Sequence, residues 1–311
     1  MKVLASYRFP GPAFDELVDV EFLTGPLPDG LGGARPGVGA LAIVHELLDE
    51  RTLALLPDLK LVANYGVGYD GIDVAACARH GVAVTNTPGV LDAATADLAF
   101  ALMLACRRRL VEGDALLRRG SWPTETVDSF LADELAGTTL GIVGFGRIGR
   151  AVARRARAFE MRVLYTKRVR LGAAEERELN VDYRGLDELL AEADSVTLHV
   201  PLRPDTINLI NGRRLALMRP GACLVNTARG PLIDEAALVA ALAAGRIRAG
   251  LDVFTHEPHV PKPLLKLPNV VLTPHIGSAT RKTREAMTRV LVDNILAAEA
   301  GRTLPTPVPA T

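Results

Sequence analysis

Arg229, Glu257 and His275 each stand a few residues past an apolar run. Arg229 follows Leu224-Val225-Asn226-Thr227-Ala228, Glu257 follows Leu251-Asp252-Val253-Phe254-Thr255-His256, and His275 follows Val270-Val271-Leu272-Thr273-Pro274. An arginine can hold a carboxylate through two parallel N–H bonds and polarise a neighbouring carbonyl. A histidine exchanges a proton near neutral pH, and a carboxylate beside it favours the charged ring and fixes its orientation. Taken singly, an arginine after a strand is most often a surface residue and a lone histidine most often structural. Three such groups at equivalent strand ends make a set suited to proton transfer at a carbonyl.

A glycine-rich turn supplies a partner for that chemistry. Gly144-Phe145-Gly146-Arg147-Ile148-Gly149 follows the apolar run Leu140-Gly141-Ile142-Val143 and opens an amphipathic, Ala/Arg-rich segment ending near Phe159. Strand, tight turn and helix are the context in which this spacing binds a dinucleotide. The first glycine permits the turn and the second lets the backbone approach a pyrophosphate. The third lets helix and strand pack closely, with the pyrophosphate at the helix N-terminus. More than 140 residues precede this turn and need an assignment of their own.

The elements that must position these groups fall into two series. At 311 residues the chain suits roughly two domains. Short β-like runs at 3–5, 42–44, 61–64 and 82–85 alternate with helical or turn segments, and the Gly/Pro-rich stretch 25–39 reads as loop. Residues 92–119 read as one long helix capped by Asp92 and closed at Pro123. Strands then follow at 140–143, 162–165, 195–200, 222–226, 249–253 and 270–273, six in all, the full count of a doubly wound dinucleotide-binding domain. Ligands of such a sheet bind beyond the carboxyl ends of its strands, where Arg229, Glu257 and His275 stand.

A last helix at 278–300 is too short to be a domain and must pack on the first series, while the Pro/Thr tail 303–311 reads as frayed. The expected fold is α/β: two Rossmann-like doubly wound parallel-sheet domains, with the cofactor domain inserted into a discontinuous substrate domain. The boundaries are 1–98 plus 282–311 for the substrate-binding domain and 99–281 for the NAD(P)-binding domain.

Composition narrows the class. With 36 basic and 36 acidic residues the net charge is zero, which gives no general pull toward nucleic acid. No window approaches the roughly 18 uninterrupted apolar residues of a membrane span, and the N-terminal apolar stretch is too short for a signal peptide. Cys77, Cys106 and Cys223 are isolated and lack metal-ligand spacing; Cys106 and Cys223 lie in apolar runs and read as core residues. A soluble cytoplasmic protein without metal is the expectation.

The motif from Gly144 to Gly149, the run Asn226-Thr227-Ala228-Arg229-Gly230, Leu251-Asp252-Val253-Phe254 with Glu257-Pro258, and the run from Pro274 to Thr280 resemble the D-isomer-specific 2-hydroxyacid dehydrogenases. The resemblance spans about residues 58–297 with its motifs in order. It implies that Arg229 binds and polarises a 2-oxo acid, that His275 is the proton donor and acceptor, and that Glu257 is its partner. It places Thr227, Ala228, Asp252 and Gly277 at the cofactor, Asp252 on the nicotinamide side. It also implies the nested domains, a cleft between them and a homodimer.

Within the family, Val62 to Asp73, Thr85 to Leu91 and Ala94 to Ala99 are most similar to the glyoxylate/hydroxypyruvate reductases. A glycine-flanked turn after a strand exposes backbone N–H groups that can hold a carboxylate, so Val67 and Gly68 would grip the substrate. The subgroup often carries extra aromatics after the long helix. Here Trp122 remains and 123–131 contains only Phe130 as an aromatic, which leaves room for larger 2-oxo acids such as 2-ketogluconate. An NAD-linked phosphoglycerate dehydrogenase and a nucleotide-sensing, corepressor-like binding protein on the same scaffold are the other readings.

An NAD site needs an acid roughly 20 residues past the glycine turn to hold the ribose 2′-hydroxyl. The strand at 161–165 ends instead in Thr166-Lys167-Arg168-Val169-Arg170. Three cations and a hydroxyl suit a 2′-phosphate. NADP(H) is therefore preferred over NAD(H), with Arg168 and Arg170 as phosphate ligands and Thr166 assisting.

Overall fold

A computed structural model describes residues 1–122 and 130–309. Pro123, expected to close the long helix, lies outside the described residues. The chain forms two compact units, Met1–Leu91 with Ser278–Thr311, and Asp92–Gly277. Boundaries at 98/99 and 281/282 fall inside two helices, Asp92–Arg107 and Arg281–Glu299, whereas the units divide at 91/92 and 277/278.

In the first unit, β1 (Lys2–Ala5), β2 (Val20–Phe22), β3 (Val38–Ile43), β4 (Leu61–Asn64) and β5 (Ala83–Thr85) form a sheet of order β2-β1-β3-β4-β5. Every pairing is parallel. Helices α1 (Glu50–Ala54) and α2 (Val74–Arg79) cross between strands, and Asp49 and Asp73 cap them by accepting from Thr52 N and Ala76 N. Two elements differ from expectation. β2 is not announced by the sequence, because it is an edge strand with no fully buried residue. β3 begins at Val38, inside the stretch read as loop, and all six of its residues are buried.

In the second unit, the expected long helix is two: α3 (Asp92–Arg107) and α4 (Leu110–Arg118). Arg109 between them is left-handed, at φ 52°. The break follows from where the arginines go. Arg107 turns inward to donate to the carbonyls of Asp194 and Glu134, and Arg109 lies over the Phe130 ring, 4.6 Å from its centroid. Asp92 is the first helical residue rather than the cap, and its carboxylate takes the Arg147 guanidinium at 2.8 Å.

The seven-stranded sheet comprises β6 (Thr139–Val143), β7 (Arg162–Thr166), β8 (Asp182–Tyr183), β9 (Ser195–Leu198), β10 (Cys223–Asn226), β11 (Arg248–Leu251) and β12 (Val270–Leu272), in the order β12-β11-β10-β9-β6-β7-β8. β8 is a two-residue edge strand that the sequence does not announce. Helices α5 (Arg147–Ala158), α6 (Ala173–Leu179), α7 (Leu186–Glu192), α8 (Gly212–Leu217) and α9 (Glu235–Ala243) connect the strands. Alternate residues serve opposite faces: Leu140, Ile142, Val163, Tyr165, Cys223 and Val225 pack toward α3 and α5, while Val143, Leu164, Val196, Leu198 and Leu224 pack on the other side. Burial of both faces is why these strands read as continuous apolar runs. The order reverses between β6 and β9, the switch point at which such sheets bind ligands.

The chain then returns to the first unit through α10 (Arg281–Glu299), capped by Thr280, which accepts from Thr283 N. α10 packs on β4, and Tyr65 donates its hydroxyl to the Arg284 carbonyl at 2.7 Å. The described part of the tail expected to fray, through residue 309, is instead bonded along the edge of β5. Pro307 bridges Thr85 in antiparallel fashion, Val308 N donates to Val84 O at 2.8 Å, and the Val308 side chain is buried. The apolar Val308 and a row of satisfied backbone groups outweigh the Pro/Thr composition.

Candidate active site

The register of three parallel strands sets the site. Asn226 of β10 pairs with Leu251 of β11, which pairs with Leu272 of β12. Their next residues continue the ladder, since Asp252 N donates to Asn226 O and Thr273 N donates to Leu251 O, each at 2.9 Å. After β10, the buried Asn226 amide ties the turn, accepting from Ala228 N at 3.0 Å and donating to Arg229 O at 2.8 Å. Gly230 then meets the next loop so closely that a Cβ there would lie 2.1 Å from the Phe254 carbonyl carbon. The Arg229 turn is thereby seated against the loop that carries Glu257.

Glu257 divides its two oxygens. Oε1 accepts from Phe254 N at 2.9 Å, and Oε2 meets His275 Nδ1 at 2.7 Å. With one oxygen anchored on its own loop, the carboxylate holds the imidazole at Nδ1. His275 is left-handed, at φ 52°, and its amide donates to Asp252 O at 2.9 Å.

Asp252 holds this loop from below. It is fully buried; Oδ1 accepts from Thr273 Oγ1 at 2.6 Å and from Ile276 N at 2.8 Å, and Oδ2 accepts from Gly277 N at 2.8 Å. Burial pushes its carboxyl above the usual range, against the opposing pull of these bonds. Resemblance placed Asp252 at the nicotinamide. In the structure all three of these contacts run to Thr273, Ile276 and Gly277, the residues on either side of His275.

The glycine turn has the shape of a dinucleotide cradle. Gly144 has φ 95°, and a Cβ there would fall 2.4 Å from His199 O, so the turn tolerates only glycine. A Cβ on Gly149 would sit 2.3 Å from Gly144 O, which is the close helix–strand approach. At Gly146 an added Cβ meets nothing within 4 Å, and α5 has no side-chain cap. Its first-turn amides are thus left for an anion. Thr227 adds a buried hydroxyl without a hydrogen-bond partner among the described residues. Phe145 packs on Tyr165 at 4.6 Å and supports the turn from beneath. These residues fit a bound dinucleotide: amides of Arg147, Ile148 and Gly149 would hold its pyrophosphate. His199, at the β9 side of the switch point, lies 2.9 Å from Thr197 Oγ1, and burial pushes its imidazole down to about 3.

In the first unit, the loop after β4 turns its carbonyls inward. Asn64 Nδ2 donates to Gly66 O at 3.1 Å and to Gly68 O at 2.9 Å, and Asn86 Nδ2 donates to Val67 O at 2.9 Å. Thr87 N also donates to Gly66 O. Among the described residues no acceptor meets the Val67 or Gly68 N–H, and Gly68 is exposed.

Comparison with known proteins decides the lineage. The pattern of the D-isomer-specific 2-hydroxyacid dehydrogenase NAD-binding domain matches residues 100–277. The chain is 51% identical over 271 residues to a glyoxylate reductase of Pyrococcus furiosus, covering 86% of this chain and 80% of that one. The chain belongs to the D-isomer-specific 2-hydroxyacid dehydrogenases. Among solved structures, a protein from Thermus thermophilus superposes with a TM-score of 0.91 at 46% identity, covering 99% of this chain and 100% of that one. An NADPH-dependent glyoxylate/hydroxypyruvate reductase from Sinorhizobium meliloti, solved with NADP and malonate, gives 0.88 at 36% identity, covering 100% and 97%. This dehydrogenase is accordingly an NAD(P)-dependent oxidoreductase, and within the family it groups with the glyoxylate/hydroxypyruvate reductases.

The residues after β7 in this dehydrogenase separate the two arginines expected at a 2′-phosphate. Thr166 ends the strand and its carbonyl takes Gly144 N at 3.0 Å. Arg168 is exposed and pairs with Asp205. Arg170 differs from expectation: its Nε and Nη2 both go to Glu176, each at 2.8 Å, and its guanidinium lies over the Tyr183 ring. Glu176 also accepts from the Tyr165 hydroxyl at 2.6 Å. The Arg170 guanidinium, then that hydroxyl, hold its carboxyl at about 2, while burial pushes the Tyr165 phenol up to about 12. To reach a phosphate, Arg170 would break two bonds, and Arg168 one. Asp205, Glu176, Asn226, Asn64 and Asn86 escape a sequence reading, because their partners are set by the fold rather than by a motif.

The described residues contain no group of three His, Cys, Asp or Glu side chains placed to hold a metal. None of their helices is long and apolar enough to cross a membrane. All three cysteines are buried.

Proposed function

We propose that this chain is an NADPH-preferring reductase that converts small 2-oxo acids of the glyoxylate and hydroxypyruvate type to D-2-hydroxy acids. The observation that carries the reading is the His275–Glu257 pair, fixed at 2.7 Å on a loop held by Asp252, with the Arg229 turn packed against the Glu257 loop. The chemistry that a reduced nicotinamide supplies when bound is donation of a hydride to the 2-oxo carbon. His275 Nε2 gives a proton to the carbonyl oxygen as negative charge develops there, and Glu257 holds the charged ring. Arg229 stabilises that oxygen electrostatically. In the first unit the Val67 and Gly68 amides are the groups suited to a carboxylate. Thr227, Ala228 and Gly277 line the cofactor side.

NADPH preference is supported by the absence of an acid after Thr166 and by the exposed Arg168, with Arg168 the principal phosphate ligand. A homodimer is supported by α4, which buries none of its residues and exposes Leu110, Val111 and Leu117, with Trp122 exposed just beyond. Buried, isolated cysteines suit a cytoplasmic setting. A second reading, reduction of larger acids such as 2-ketogluconate, is favoured by the stacking of Phe130 under Arg109, which occupies the lone remaining aromatic of that segment.

The test is a spectrophotometric panel of NADPH and NADH oxidation with glyoxylate, hydroxypyruvate, pyruvate, 2-ketogluconate and phenylpyruvate. Fastest turnover of glyoxylate or hydroxypyruvate with NADPH is expected. Preference for 2-ketogluconate would select the second reading, and unchanged activity in His275→Ala would refute the acid/base assignment.

A further inference from the structure

The C-terminal segment is part of the first unit and reaches the loop proposed to hold the substrate carboxylate through Asn86. Four residues form a directed chain of hydrogen bonds. Asn294, fully buried on α10, donates through Nδ2 to Thr306 Oγ1 at 2.9 Å and accepts Thr306 N at 3.1 Å. Having accepted there, the Thr306 hydroxyl donates to Asn86 O at 2.6 Å. Asn86 N donates back to Thr306 O, and Asn86 Nδ2 donates to Val67 O at 2.9 Å.

Energetics argue that this chain is built rather than incidental. A buried asparagine among Leu291, Val292 and Ile295 is costly unless its polar atoms are paired. Asn294 meets that requirement through Val290 O and the hydroxyl and amide of Thr306. Fixing the backbone of Asn86 from one side aims its amide at the Val67 carbonyl on the other. A peptide whose carbonyl is held inward points the following N–H outward, because the two are antiparallel across a planar trans peptide. The Val67 carbonyl therefore orients the Gly68 N–H, and the Gly66 carbonyl, held by Asn64 and Thr87 N, orients the Val67 N–H.

We infer that Thr306 is a positioning residue for substrate binding: through Asn86 it holds the Val67–Gly68 amides in the orientation that receives the 2-oxo acid's carboxylate. The inference rests on the proposal that these amides bind that carboxylate. It assigns the C-terminal segment a part in substrate affinity, separate from cofactor binding and from proton transfer.

Thr306→Val keeps the shape and removes the hydroxyl. The holoenzyme variant should show KM for glyoxylate raised about three- to tenfold, the scale of one neutral hydrogen bond, with KM for NADPH within about twofold of the parent. Thr306→Ser should restore the parent KM. Gly68→Pro, which deletes one loop N–H directly, should raise KM for glyoxylate at least as much. An unchanged KM in Thr306→Val beside a raised KM in Gly68→Pro would overturn the relay and leave the carboxylate loop standing. An unchanged KM in Gly68→Pro would overturn the loop and the relay together. A parallel rise in KM for NADPH, or no recovery in Thr306→Ser, would show general damage and also overturn the relay. If Gly68→Pro does not fold, amide hydrogen exchange at Val67 and Gly68 replaces it: malonate should slow exchange there in the parent and less in Thr306→Val, and no slowing in the parent overturns the loop.

Discussion

Asp252→Asn is the most discriminating substitution, because it separates a loop-holding carboxylate from a cofactor contact. The side chain is fully buried, and its oxygens accept three hydrogen bonds, from Thr273 Oγ1, Ile276 N and Gly277 N. Asparagine retains one oxygen. Whichever way it is turned, at least one backbone N–H then faces an NH2 group, and a buried donor left unsatisfied costs about 1–3 kcal/mol. Relief of the buried charge offsets part of this, so a net loss of about 1–2 kcal/mol is expected. For a unit of this size that lowers Tm by roughly 2–8 °C. Displacing the His275 loop by about 1 Å should also lower kcat about a hundredfold.

The pH dependence has a definite sign. Burial raises the folded-state carboxyl of Asp252, so the folded protein binds this proton more tightly than the unfolded chain does. That contribution is fully present below the unfolded value of about 3.9 and is lost as pH rises through the raised folded value. The parent-minus-variant gap in Tm should therefore widen on acidification from neutrality. Differential scanning calorimetry of parent and variant at several pH values, paired with glyoxylate kinetics, measures both effects. Unchanged Tm and kcat together with a raised KM for NADPH would refute the positioning role and return Asp252 to the cofactor.

Other expectations follow from the same geometry. Replacing His275 with Gln should lower kcat about 10²- to 10⁴-fold while NADPH affinity, read by fluorescence titration, is retained. Arg168→Ala should raise KM for NADPH about tenfold to a hundredfold, as loss of a charge-assisted bond requires, and leave KM for NADH unchanged; Arg170→Ala should do much less, because Glu176 already holds that guanidinium. Gly149→Ala places a Cβ 2.3 Å from Gly144 O, and the overpacking should cost about 1–3 kcal/mol and weaken NADPH binding in the same titration.

What can be read from the sequence is whatever a local pattern records. Strands buried on both faces write uninterrupted apolar runs, so β6, β7, β9, β10, β11 and β12 are legible, as are the residues at their carboxyl ends. The glycine turn is legible because sterics leave no alternative at Gly144 and Gly149. The edge strands β2 and β8 bury too little to leave a pattern. The break at Arg109 depends on the inward turn of Arg107 toward carbonyls 27 and 87 residues away. Arg170 looks available until its partner Glu176 is placed beside it. Thr306 lies 220 residues from Asn86, a separation no motif spans.

The first unit takes its chain from both ends of the sequence, Met1–Leu91 and Ser278–Thr311. Domains ordinarily fold in the order in which the ribosome delivers them. Here the first 91 residues lack α10 and the edge segment at Val308 until residues 281–308 have been made. The later unit is contiguous and can close first. During synthesis the exposed edge of β5 and the surface of β4 that α10 covers are therefore open for most of translation, the interval in which unpaired strand edges invite aggregation. Needing two segments separated by the whole of the second unit makes that unit a late one, and its demand for protection falls on the nascent protein rather than on the finished enzyme.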